Sequence, residues 1–161
     1  MTASVRVLAP IVITPAMIKA GTTLAEPATA YGEVAWVSGG TYALNDLRTY
    51  SGSVYKAPVA HTGRTTTPDL DPTYWARQGP TLRQAPFDDY TSTTASATGT
   101  LTYVLQPGFF DGVNLYKPVG SAYSITVKNA PGGTVTASQS GDLYAPVSYT
   151  HLAGDSQMTL P

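Results

Sequence analysis

The chain has 161 residues, a formal net charge of −1 and only 12% charged residues, about half the share usual in soluble proteins. Lysine and arginine never occur in a run, so the chain lacks the positive footprint that recognises phosphate backbones or anionic membranes. Cysteine is absent, which excludes disulfides, thiolate metal centres and cysteine nucleophiles together.

Val5, Val7 and Ala9, followed by Ile11 and Ile13, alternate around Pro10 and predict a bent or edge strand. This longest apolar stretch falls far short of the roughly 20 residues of a membrane helix, so no membrane insertion is expected. The start Met1-Thr2-Ala3-Ser4-Val5-Arg6 lacks the layout of a signal peptide and points to synthesis in a host cytoplasm. A short helix is expected next, with Thr14 as its cap, Pro15 in its first turn and Gly21 at its end. Residues 1–30 therefore read as a strand and short-helix arm, with a linker from Thr22 onward.

From Val34 to Trp75 the pattern changes to short aromatic-rich strands separated by Ser38-Gly39-Gly40, Asn45-Asp46, Ser51-Gly52 and a loop from Thr62 to Pro72. Residues 31–80 are predicted to form a small three-stranded meander, closed off by Gly79, Pro80 and Pro86. Residues 87–161 alternate more regularly. Leu101, Tyr103 and Leu105 oppose Thr100, Thr102 and Val104, while Tyr123, Ile125 and Val127 oppose Ser124, Thr126 and Lys128. Val135 and Ala137 follow the turn Ala130-Pro131-Gly132-Gly133, and the whole predicts a sandwich or jelly-roll. Four or five strands after Thr98 are few for such a unit, so either further chain or a neighbouring subunit is expected to complete it. The fold class is all-β.

No catalytic signature is present: neither a nucleophile elbow, nor a phosphate loop, nor a dinucleotide fingerprint. His61 and His151 lie too far apart in sequence for a helix-borne metal pair. Asp69 and Asp71 offer oxygen ligands that could suit calcium, though such acids more commonly cap turns. Asp88 and Asp89 are adjacent and would face opposite ways on a strand, which does not suit two carboxylates acting on one glycosidic bond. Asp111, Asp142 and Asp155 each neighbour a glycine, as turn residues do. The expectation is a protein without enzymatic activity, cofactor or bound metal.

The succession Ala35-Trp36, Thr41-Tyr42, Asn45-Asp46-Leu47, Tyr50-Ser51-Gly52, Tyr55-Lys56-Ala57, Thr62-Gly63, Pro68 and Trp75 resembles the small chitin- and cellulose-binding modules of secreted glycoside hydrolases. Asn45 stands where those modules place glycine, a mild departure because asparagine tolerates a left-handed turn. After Tyr55-Lys56-Ala57 they carry adjacent exposed aromatics, whereas this chain has Pro58-Val59-Ala60-His61. The resemblance implies that Trp36, Tyr42, Tyr50 and Tyr55 hold the fold. Tyr74, Trp75 and His61 are then the candidates for glycan contact, and the adjacent Tyr74 and Trp75 should face opposite ways, leaving one ring exposed.

A wider arrangement is similar to proteins encoded in the tail regions of phages and prophages. It runs from Val12-Ile13-Thr14 through this meander to Trp75-Ala76-Arg77-Gln78-Gly79-Pro80-Thr81-Leu82-Arg83 and Phe87-Asp88, then into a galactose-binding-like sandwich. What it implies is a virion tail protein, a tail tip, fibre or fibre anchor, that contacts other tail proteins and assembles as a homo-oligomer. The rival expectation is an adhesin for host-surface or cell-wall glycan; nucleic acid is not an expected partner.

Overall fold

The computed structural model describes residues 10–88, 90 and 92–143. Among these the regular structure is short antiparallel strands joined by loops and single 3-10 turns, without an α-helix, and the fold is all-β. The chain divides after Asp111 into two units. The residues 5–9 of the expected N-terminal strand, together with Asp89, His151 and Asp155, lie outside the described residues.

In the first unit, β1 (Thr41–Tyr42) pairs with β4 (His61–Thr62), while β2 (Leu47–Tyr50), β3 (Ser53–Lys56) and β5 (Ala76–Pro80) form a three-stranded sheet in the order β2-β3-β5. Ser51 and Gly52 both take positive φ, 48° and 73°. Such a pair twists a two-residue loop the way the flanking strands twist, which sets the register Tyr50 opposite Ser53. Asn45 also sits at positive φ, 69°, and its N–H continues the ladder to the Ala57 carbonyl at 2.7 Å. A register shift between Val54 and Tyr55 bends β3 against β5. On the other side of β2, Ala35 bridges Thr49 in parallel, with Trp36 N–H donating to the Thr49 carbonyl and Thr49 N–H to the Val34 carbonyl. Where one three-stranded meander was expected, this segment forms two small antiparallel sheets, with residues 34–36 as an additional flank.

The N-terminal arm departs from its expected form. In place of a helix running to Gly21 there is one 3-10 turn, Pro15–Met17, whose Thr14 cap makes no side-chain hydrogen bond. The helix stops because the next residues are used in pairing. Ile18 bridges Leu105, Lys19 N–H donates to the Val104 carbonyl at 2.8 Å, Thr23 N–H to the Thr102 carbonyl and Gln106 N–H to the Met17 carbonyl. The hydroxyls of Thr22 and Thr23 accept from the N–H groups of Val104 and Thr102. The alternation over Leu101–Leu105, expected to open the second sandwich, instead clasps the arm, and Asp111 rather than Pro86 closes the first unit.

The second unit contains β6 (Ala122–Lys128) and β7 (Val135–Asp142), an antiparallel ribbon closed by the turn at Asn129–Thr134. Tyr123, Ile125 and Val127 alternate with exposed Ala122, Ser124, Thr126 and Lys128. No third strand joins this ribbon among the described residues.

Candidate binding surfaces

The aromatic cluster is built from strand positions that converge on one face. Tyr42, Tyr55, Ala57 and Trp75 form a buried core, against which Trp36, Tyr50 and Tyr74 pack. Trp75 is edge-on to Tyr42, with ring centroids 4.9 Å apart, and Trp36 is edge-on to Tyr50 at 5.6 Å, the arrangements that aromatic quadrupoles favour. The Tyr42 hydroxyl donates to the Val37 carbonyl at 2.6 Å and accepts from the Val37 N–H at 2.8 Å, which pins the turn before β1. Its ring passes over Gly40 so closely that a Cβ there would stand 2.6 Å from the hydroxyl oxygen.

His61 lies inside this cluster. It is 9% exposed and in edge contact with Tyr74 and Trp75 at 5.1 and 5.0 Å. Its Nδ1 is 3.0 Å from the Val59 carbonyl, which can only accept, so Nδ1 donates there, and Nε2 is buried without a hydrogen-bond partner among the described residues. The indole N–H groups of Trp36 and Trp75 are likewise buried and unpartnered there.

These positions decide what the glycan candidates offer. Trp75 is 2% exposed and gives no ring face to a sugar. The Arg64 guanidinium lies over the Tyr74 ring, 3.7 Å from its centroid, and is held there by an Arg64 Nε to Asp71 Oδ2 bond of 2.6 Å. Tyr74 is half-buried, and the two neighbouring rings do not leave one fully open. Asp71 is itself buried and committed to Arg64, while Asp69 remains exposed in the 3-10 turn Pro68–Leu70. The pair therefore does not converge as calcium ligands. Asp88 accepts from Tyr90 N–H at 2.9 Å and from the Thr93 hydroxyl, the capping role of a turn residue.

Local spacing does not mark Arg64 as a cover for Tyr74, nor Glu33 as a clamp. Glu33 accepts from Leu82 N–H at 2.7 Å and from Ala28 N–H at 2.8 Å, tying residues 26–33 to the chain after β5. Beside it, the buried Thr81 donates to Glu26 at 2.8 Å. Desolvation raises the Glu26 carboxyl above its ordinary 4.5; the neighbouring Glu33 adds to the rise, while the Thr81 bond and Arg83 oppose it.

Large apolar side chains outside the core are numerous. In the first unit Val12, Val37, Leu44, Leu47 and Leu70 are each more than half exposed, and Phe109 is fully exposed in the turn after Gly108. In the second, Val113, Tyr116 and Val119 are open, and the Tyr123–Ile125–Val127 side of the ribbon has no second sheet over it among the described residues. Isolated exposed apolar residues are ordinary, but this density on so weakly charged a chain leaves much surface that water solvates poorly. No family model matches the chain, and no curated protein or solved structure matches it either.

Proposed function

We propose that the chain is a structural component of a bacteriophage tail, a tip, fibre or fibre-anchoring protein that makes permanent contacts with neighbouring virion subunits and catalyses nothing. The observation that carries this reading is the two-stranded ribbon of the second unit, with Tyr123, Ile125 and Val127 on one side of β6 and no covering sheet among the described residues. Such a ribbon is marginal in water by itself, and a third strand or a covering layer gives it independent stability. Permanent interfaces supply such cover and are apolar and aromatic at their centres, matching the exposed Phe109, Tyr116, Val113 and Val119. In this reading the first unit keeps a carbohydrate-binding-module-like meander as a rigid body, and the second is part of a galactose-binding-like sandwich completed by its neighbours. The sequence resemblance to phage-tail proteins supplies the setting. The contacts are mechanical.

A glycan adhesin would need an open stacking face, and the residues nominated for it are buried or covered. Mass spectrometry and immunogold labelling of purified tailed particles should find the protein in fixed copy number on the tail. Its absence from particles would overturn the proposal. Retention of the purified chain on chitin, cellulose or host envelope glycan, lost in folded Tyr74→Ala protein, would replace it with the adhesin.

A further inference from the structure

We propose that the edge of β6 left unpaired among the described residues is completed by β6 of a second copy of this chain, the two strands running antiparallel about a two-fold axis through Ile125. The proposal rests on the reading of this chain as a building block, and it names one of the contacts that block makes.

The ladder within the ribbon fixes which groups point outward. Leu143 N–H donates to the Ser121 carbonyl at 2.9 Å. In an antiparallel pair the bonded positions alternate, so odd-numbered β6 residues turn their backbone groups toward β7 and even-numbered ones turn theirs to the outer edge. A two-fold about Ile125 pairs Ala122 with Lys128 and Ser124 with Thr126 of the second copy through those outward groups. It also sets Tyr123 directly across from Val127 and Ile125 across from itself, at the closely spaced positions where aromatic and β-branched pairs stabilise most. Pairing through β7 would set Gln139, Gly141 and Ala137 against one another and gain no such contacts.

Charge selects the orientation. Lys128 and Asp142 are the ribbon's only charged residues, and they occupy opposite ends, since Asp142 lies across from Ala122. In the antiparallel register a row runs from Lys128 over the second copy's Ala122 to its Asp142. Strands about 4.8 Å apart put those two charged residues about 10 Å apart at Cα, a gap that a lysine can cross over an alanine. A parallel arrangement would instead set lysine beside lysine. The remaining polar face is serine and threonine, without the edge charges that usually block such pairing.

The full chain should sediment as a self-associating species. Lys128→Asp and Asp142→Lys should each weaken association about tenfold, and an equimolar mixture of the two should restore it, because one supplies acidic ends and the other basic ends. Circular dichroism confirms that both variants fold. The chain has no cysteine, so Ile125→Cys should form an intermolecular disulfide on mild oxidation while Ser138→Cys, on β7, should not. A chain that stays monomeric at all concentrations overturns the proposal. So does association indifferent to both charge reversals and to the cysteine position. Absence from virions would sink the tail reading and leave this pairing intact; a monomer in solution would do the reverse.

Discussion

The Thr81 hydroxyl donates to the Glu26 carboxylate at 2.8 Å, joining two residues 55 positions apart. Thr81 is wholly buried, and burial with the nearby Glu33 raises the Glu26 carboxyl above its ordinary value. A raised carboxyl means the folded state holds the proton more tightly than the unfolded one. Stability linked to Glu26 is therefore fully present below pH 4.5 and lost as pH rises through the raised value. Glu26→Gln keeps an acceptor for Thr81 without the charge. Its melting temperature at neutral pH should equal or exceed that of the parent, and the parent's advantage from mild acidification should shrink; a lower melting temperature at every pH would contradict this.

Tyr103 stacks edge-on against Phe87 at 5.1 Å and donates its hydroxyl to the Arg83 carbonyl at 3.0 Å. Burial pushes this phenol from 10 up to about 12, with Arg83 opposing the rise. Here too the raised value favours the protonated folded state, so the contribution is present below pH 10 and lost as pH climbs through about 12. Ultraviolet titration should show a late-ionising tyrosine that disappears in Tyr103→Phe. That variant should also lose less stability than the parent between those two values.

Core geometry ranks the aromatics by consequence. Trp75→Ala removes the largest fully buried side chain and should cost about 3–5 kcal/mol in urea unfolding. Tyr42→Phe leaves the ring but strips both bonds to Val37, for a cost of about 1–3 kcal/mol. Tyr74→Ala, half-buried under Arg64, should cost clearly less than Trp75→Ala. Equal losses for Tyr74 and Trp75 would mean that the ring under Arg64 is part of the core.

The turn between β2 and β3 also anchors the arm. A Cβ at Gly52 would stand 2.5 Å from Pro15 Cγ, and the backbone there is left-handed. Gly52→Ala should therefore cost about 1–2 kcal/mol in the turn itself and displace Pro15. Faster hydrogen exchange at Lys19 and Thr23 would register the displacement, and unchanged exchange would show that the arm holds without this contact. Asn45→Gly, at another left-handed position, should be neutral or slightly stabilising.

The turns were the most legible part of the sequence. Asn45-Asp46 and Ser51-Gly52 mark turns by residue type, and Asn45 and Gly52 take the left-handed backbone those types allow, with Ser51 joining them. Strand partners were far less legible. The alternation of Leu101, Tyr103 and Leu105 states that the segment is extended but not what it lies beside, and its partner proved to be the arm some 80 positions earlier. Proline at position 15 marks the start of a turn, but the helix expected to run to Gly21 is cut to three residues, because Ile18 pairs with Leu105. At the aromatic cluster, adjacency predicted opposite faces for Tyr74 and Trp75. It could not foresee that Arg64, anchored by Asp71, would cover the outer ring. Long-range cation–ring contacts leave no mark in local spacing.

The clasp between residues 17–23 and 102–106 brings the two ends of the first unit to the same side, Met17 beside Gln106. Tension applied through Pro10 and Asp111 would meet the Gln84 bond to the Ile13 carbonyl and the packing of Pro15 on Gly52, then the Met17–Gln106 pair, and from there would open the clasp's bonds one after another, as a zip opens, instead of shearing them all at once. A chain joined in this way lengthens step by step under load.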